Sequence, residues 1–231
     1  MRSVLGVLVL FAGAVAACDK LASSPTVVAA PPSASPSVSP PVSPSVSVAP
    51  TPSPTPYVPR YVFPVAANYD YAHTHDEYPA TDILAPCGTE VRAATDGVVL
   101  EVNRVDRWDP QIDDGGTRGG RFMSILGDDG VRYYGAHFSV IFDAMAPGVR
   151  VTAGEPVGQV GTTGKSSACH LHFGISPPCG QVGDWWNRRG VIWPWPYLDS
   201  WRAGGAKSAV AEITAWQTAH GCPTAPDPNF P

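Results

Sequence analysis

The chain has 231 residues, with 15 Lys and Arg against 20 Asp and Glu and a formal net charge of −5. The basic residues are dispersed, so the sequence lacks the clustered positive charge that nucleic-acid binding requires. Charged residues make up only 15% of the chain, and short apolar stretches separated by turn residues dominate, the composition of a domain built on strands.

The chain opens with a single positive charge, Arg2, followed by a small and apolar run from Val4 to Ala17. Residues 1–17 read as a secretory signal peptide, too short and too rich in Ala and Gly at its end for a transmembrane helix. The run closes on Val15-Ala16-Ala17-Cys18, which resembles the lipobox of bacterial lipoproteins. That resemblance implies lipidation of Cys18 and anchorage at the outer face of the cytoplasmic membrane, with the remainder in the cell wall or periplasm. A soluble secreted protein cut near Ala17 is the alternative. From Leu21 to Pro59 the sequence is, apart from Leu21 and Tyr57, Pro, Ser, Val, Ala and Thr without one charge. Such a segment cannot form a core and favours extended polyproline conformation. Residues 18–59 are expected to be a disordered tether, reaching on the order of 120 Å when fully extended.

The folded domain is expected over 60–202. Apolar runs at 80–84, 90–92, 97–102, 121–126, 131–138, 149–151, 157–160 and 170–175 alternate with Gly, Pro and Asp turns, predicting an all-β antiparallel domain. Between the third and fourth runs, Arg104 to Gly120 forms a polar, Gly-rich loop with Asp106, Asp109, Asp113 and Asp114. Its length marks it as a functional lip or an irregular excursion, and its spacing does not match an EF-hand. Beyond 202 lies a C-terminal segment, 203–231. There Val210, Ile213 and Trp216 fall at helical spacing and Gly221 follows as a stop, predicting a short docking helix between Lys207 and His220.

Four cysteines remain after Cys18: Cys87, Cys169, Cys179 and Cys222. An even number in an exported domain points to two disulfides, and the absence of a C-x-x-C pair argues against a structural zinc site. Trp185, Trp186, Trp193, Trp195 and Trp201 crowd into seventeen residues. They suit either packing over a thin sheet or stacking on sugar rings.

The chemistry concentrates in four clusters taken in order. The first is His73-Thr-His75-Asp-Glu-Tyr78-Pro-Ala-Thr-Asp82, with Gly88-Thr89-Glu90-Val91 and Asp96-Gly97-Val98-Val99 after it. The second runs from Arg132 to Phe138 and carries His137. The third is the glycine-rich run Gly154 to Gly164, which lacks the phosphate-loop pattern and reads as a tight turn. The last is His170-Leu171-His172-Phe173-Gly174. Alternation along a strand puts His170 and His172 on one face, and burying two imidazoles together is costly without a metal, a substrate or a shared proton.

The ordered set resembles the lysostaphin-type, or LytM-like, zinc metallopeptidases of bacterial cell walls over about a hundred positions, residues 75 to 175. The resemblance implies a compact antiparallel β-sheet fold with a metal-site groove, zinc as cofactor, and peptidoglycan stem peptides as substrate for a zinc-dependent endopeptidase, monomeric and held at the membrane by its lipid anchor. By position it makes Asp82 and His172 zinc ligands and His137 and His170 the catalytic imidazoles. The family's first ligand stands four residues before the aspartate, where this chain has Tyr78. His75, three residues further upstream, is the expected ligand and His73 the alternative. An incomplete site would instead make the chain a noncatalytic regulatory or wall-binding module. If Asp82 and His172 face each other on antiparallel neighbours, Cys87 comes opposite about residue 167 and Cys169 opposite about residue 85. That register favours the bridges Cys87–Cys169 and Cys179–Cys222.

Overall fold

The computed structural model describes residues 58–67, 69–179 and 182–227. The chain divides into two units, Met1–Ser53 and Pro54–Pro231, and the described residues all belong to the second. The expected signal peptide, Cys18 and the tether as far as residue 57 lie outside the described residues. Among the described residues no helix is long and apolar enough to cross a membrane.

Among the described residues, nine strands form two antiparallel sheets. They are β1 (Thr81–Leu84), β2 (Glu90–Arg92), β3 (Gly97–Asn103), β4 (Phe122–Gly127), β5 (Arg132–Ala136), β6 (Phe138–Ile141), β7 (Arg150–Val151), β8 (Pro156–Val160) and β9 (His170–Ser176). The larger sheet has the order β1-β9-β5-β4-β3-β7 and the smaller β2-β8-β6. One core draws on both: Ile125, Leu171, Phe173 and Ile175 from the larger, Val91, Phe138, Val157 and Val160 from the smaller. Each such side chain contributes about 1.5–3 kcal/mol by leaving water.

Strand β9 lies between β1 and β5, and all seven of its residues are buried. Alternation sends Leu171, Phe173 and Ile175 into the core. His170, His172 and Gly174 occupy the other face. At Gly174 a side chain would meet the Arg189 carbonyl at 2.3 Å, so glycine is what lets the segment around Arg189 lie against this face.

The expected single strand over 131–138 is two strands in different sheets. The break is at His137, whose φ of 64° is left-handed, a conformation unusual for a residue with a side chain but less so for His. Its amide donates to the Gly119 carbonyl at 3.0 Å, and that of Phe138 to Arg121 at 3.1 Å. The hydrophobic pattern ran on unbroken because both strands bury apolar side chains, and the turn chemistry between them is not visible in it.

The C-terminal region holds more helix than the sequence pattern suggested: α1 (Trp185–Arg188), α2 (Trp195–Arg202) and α3 (Val210–His220). The first two are too short to show a 3.6-residue period, and α2 begins on Pro194-Trp195-Pro196, a proline-primed start. The tryptophans divide between roles. Trp201 is buried and stacks on Tyr61 at 5.2 Å, whereas Trp185 lines a groove. Helix α3 docks through Ile213, with Val210 and Trp216 partly packed, and ends at Gly221.

Both disulfides form as the register argument required. Asp82 pairs with His172 and Leu84 with His170 on β1 and β9. Just past those pairs Cys87 and Cys169 are bridged, with Cα atoms 5.2 Å apart. Cys179 and Cys222 are bridged at 5.4 Å, tying the end of α3 to the chain after β9.

Candidate metal centre and groove

The sheet register assembles the site. Because Asp82 and Ala136 both pair with His172 from either side, Asp82 and the residue after Ala136 flank one imidazole. His170, two residues back, shares its face. The result is a groove of about 280 Å³ lined by His75, Asp82, His137, His170 and His172 together with Tyr78, Trp185 and several basic side chains.

The histidine tautomers follow from their hydrogen bonds. His172 Nε2–H donates to the Arg189 carbonyl at 3.0 Å, and Nδ1 faces Asp82 Oδ1 at 3.0 Å. Two acceptors at that separation repel unless a proton or a cation lies between them. His137 Nδ1–H donates to the Thr163 carbonyl at 2.6 Å, and His170 Nδ1–H to the Ala168 carbonyl at 2.8 Å. In both the free nitrogen is Nε2, and that of His170 lies 3.6 Å from Asp82 Oδ1. The two rings are 4.6 Å apart.

Among the described residues, the metal-capable group is His75, Asp82 and His172, whose ligand atoms all fall within 4.8 Å of one another. His75 Nε2 is 4.0 Å from Asp82 Oδ2. Its Nδ1 is buried with no hydrogen-bond partner, a cost that a bound cation would relieve. Donor atoms bound to one zinc at ordinary lengths lie about 3.3 Å apart, which the observed spacings bracket. Two imidazoles and one carboxylate are also a ligand set of the right chemistry, so the residues fit a zinc ion. His73 is not among them. It is exposed and stacks on Trp195 at 4.4 Å. The longer segment between His75 and Asp82 turns at Tyr78-Pro79, bringing the Tyr78 ring to 4.4 Å from His75.

Electrostatics favour the forms that bind a cation. Burial alone would raise the Asp82 carboxyl, but the His172 hydrogen bond and the nearby His172, His170 and His75 outweigh it and hold the group far below the usual carboxylate range. Burial and then His172 lower His75. Burial, followed by His172 and His170, pulls His137 down to about 3. Both imidazoles are therefore neutral at physiological pH.

Several supporting residues were not singled out in the sequence. Thr163 holds His137 through its carbonyl, while its hydroxyl donates to the Phe138 carbonyl and accepts from the Arg121 amide. The glycine-rich run thus positions His137 as well as the strand after it, and Gly164, with φ of 76°, packs where any side chain would strike the Arg118 carbonyl. Arg189 is held by α1, and α1 is held by a buried ion pair: Arg132 forks onto Asp184 at 2.6 and 3.0 Å, with both side chains almost wholly buried. Arg188 pairs with Glu101 at 2.9 Å and lies 3.8 Å over Phe122. Nothing in the local sequence around Arg188-Arg189 signals these roles, which arise from long-range packing. The Arg104–Gly120 loop supplies Gly115, Arg118 and Gly119 to the groove wall.

The chain is similar to several known proteins over this region. The family model described as peptidase family M23 matches residues 76–183, beginning one residue past His75. The chain is 36% identical over 101 residues to the DD-carboxypeptidase/endopeptidase Mpg of Neisseria meningitidis serogroup B, covering 44% of this chain and 20% of that protein. It is 32% identical over 116 residues to the glycyl-glycine endopeptidase ALE-1 of Staphylococcus capitis, covering 46% and 29%. The chain thus spans less than a third of the length of these curated relatives. Among solved structures, the lysostaphin catalytic domain of Staphylococcus simulans is 25% identical over 57% of this chain and 93% of that one, with a TM-score of 0.44. A zinc-containing peptidase from Vibrio cholerae is 21% identical over 50% and 36%, with a TM-score of 0.41. The match to the model of peptidase family M23 thus spans residues 76–183, just under half of the chain.

Proposed function

We propose that this protein is a zinc-dependent endopeptidase that hydrolyses peptide cross-links of bacterial peptidoglycan, exported and tethered to the membrane through lipidated Cys18. The observation that carries the reading is the joining of a half-open ligand set, His75, Asp82 and His172, to two further imidazoles on one groove. Three protein ligands leave one position for water, the arrangement of catalytic rather than structural sites. Zinc, when bound, supplies a Lewis acid and a water acidic enough to ionise near neutral pH.

The chain's own residues do the remainder. Asp82 and His172 Nδ1 hold the cation, and the Arg189 carbonyl fixes the His172 tautomer. His137, neutral and anchored by Thr163, turns its Nε2 into the groove to accept a proton from the attacking water. The proton His137 takes from the water passes to the leaving amine, and His170 in its imidazolium form, anchored at Ala168 with its Nε2 beside Asp82, stabilises the oxyanion of the tetrahedral intermediate. A noncatalytic role would need the first ligand to be missing, and His75 beside Asp82 speaks against that.

The test is His137→Ala on purified peptidoglycan. The expected variant keeps its zinc and loses about 10²–10⁴-fold in turnover. Zinc retained with turnover unchanged would remove His137 from the mechanism, and a wild-type protein that holds zinc yet releases no peptide would remove the peptidase reading.

A further inference from the structure

Two aromatic residues just upstream of His75 are held by helix α2, and neither serves the chemistry of the groove. The helix presents Trp195, Asp199 and Arg202 at spacings of four and three, which is one helical face. His73 stacks on Trp195 with ring centres 4.4 Å apart and planes 15° from parallel. Tyr71 donates its hydroxyl to Asp199 Oδ1 at 2.5 Å and lies under the Arg202 guanidinium at 4.7 Å. Tyr71 is also bridged to Ile83 of β1, where the Leu84 amide donates to the Asp70 carbonyl at 3.0 Å. The chain is therefore anchored as far as residue 73, two residues short of His75.

Beyond that point the support thins. The backbone of 73–79 joins none of the strand ladders or turn hydrogen bonds formed among the described residues, and pairing resumes only at Thr81. Six residues separate His75 from Asp82, and a link of that length loses conformational entropy when His75 is fixed on a metal. Glu77 meets Arg118 at 3.4 Å, but its carboxylate is about half exposed, and such pairs hold a chain weakly. On the downstream side the Tyr78 ring lies under Arg189 at 4.0 Å. His75 thus hangs between two aromatic contacts, one before it and one after.

We propose that Trp195, acting through His73, is a positioning residue for the metal: the stacked pair clasps the incoming chain to α2, so that His75 stands beside Asp82 before a cation arrives. This deepens the zinc reading of the groove and rests on it. His73 is then no ligand but the residue that places one. Two residues of chain span at most about 7 Å, so a ring fixed at position 73 restricts where the His75 imidazole can go.

The test measures zinc affinity of the full chain by competition with a chromogenic chelator, in wild type, Trp195→Ala, His73→Ala, His73→Phe and the double alanine variant. Each single alanine variant is expected to keep about one zinc and to bind it about tenfold more weakly. That factor equals about 1.4 kcal/mol, the size of contribution a stacked aromatic pair makes. His73→Phe keeps the stack and has no nitrogen to offer, and is expected within about twofold of wild type. The double variant should lose no more than either single one, because both break the same contact, whereas a general loosening of α2 would add to the loss of His73. Metal-free protein gives a second readout: a glutamate-specific protease should cut after Glu77 about tenfold faster in either alanine variant. Trp195 is partly buried; if Trp195→Ala does not fold, as read by circular dichroism, the exposed His73 carries the test through its Ala and Phe variants. Unchanged affinity, unchanged cleavage, additive losses, or a His73→Phe protein as weak as His73→Ala would each overturn the clasp. A folded wild type that takes no zinc, with cleavage still faster in the alanine variants, would sink the zinc reading and leave the clasp standing.

Discussion

Strand β9 and the segment 73–79 each contribute a histidine to the candidate metal centre, and they do so by opposite means. Every residue of β9 is buried, and His172 is fixed by ladder partners on both sides, by Asp82 and by the Arg189 carbonyl. The other segment is mostly exposed, and its histidine is held by contact with Tyr78 while Nδ1 lacks a partner. One half of the site is built by the fold before any metal arrives, and the other is set by a few local contacts. The metal should therefore gain most of its affinity from β1 and β9, with His75 completing the coordination.

His172→Ala breaks that comparison most severely. It removes the ligand on the fixed half and is expected to abolish stoichiometric zinc, with a fall in turnover of at least about 10³-fold; metal analysis after dialysis, with circular dichroism to show the fold intact, checks it. Zinc retained by this variant would mean that β9 is not where the metal is held.

Asp184→Ala attacks the support of the fixed half without touching a ligand. It leaves Arg132 buried and without its carboxylate, expected to cost about 3–5 kcal/mol in urea unfolding. Because α1 carries Arg189, zinc affinity should fall with it. A variant as stable as wild type would show that α1 is held by its apolar contacts alone.

Removing the two cysteines of the Cys87–Cys169 bridge is expected to cost about 2–4 kcal/mol, for this bridge closes a long loop beside the ligands. The matched pair of substitutions at Cys179 and Cys222 should leave zinc affinity alone while loosening α3. Equal effects of both bridges on zinc binding would erase the distinction.

A smaller effect comes from pH on the metal-free protein. His137 and His75 titrate below their unfolded value of about 6.5, so the unfolded chain binds more protons than the native one as pH falls beneath it. Their contribution to stability is whole above about pH 6.5 and is lost on acidification, for His137 until about pH 3. Asp82, also depressed, adds to the loss below about pH 4. The urea midpoint should fall between about pH 7 and pH 4 by an amount worth a few kcal/mol, and a flat profile would contradict neutral burial of these imidazoles.

The parts legible in the sequence are those set by period and order. Alternating apolar runs located eight of the nine strands, and pairing Asp82 with His172 gave the register and both disulfides. His137 hid a strand break because its left-handed backbone leaves no trace in hydrophobicity. The short helices α1 and α2 complete too few turns to show a period. The roles of Arg189, Arg132 and Thr163 were illegible because each depends on a partner 17 to 52 residues away, reached only through the tertiary packing of α1 and the glycine turn. The first ligand fell between these cases. The sequence offered His75 and His73, and the turn at Tyr78-Pro79 together with the stacking of His73 on Trp195 separates them in space.

Bound zinc per molecule, measured for wild type, His75→Ala and His73→Ala on the purified protein, tests the central claim most directly. The account predicts about one zinc in wild type, about one in His73→Ala, and a loss confined to His75→Ala. A folded wild-type protein without zinc, or a loss confined to His73→Ala, would contradict it.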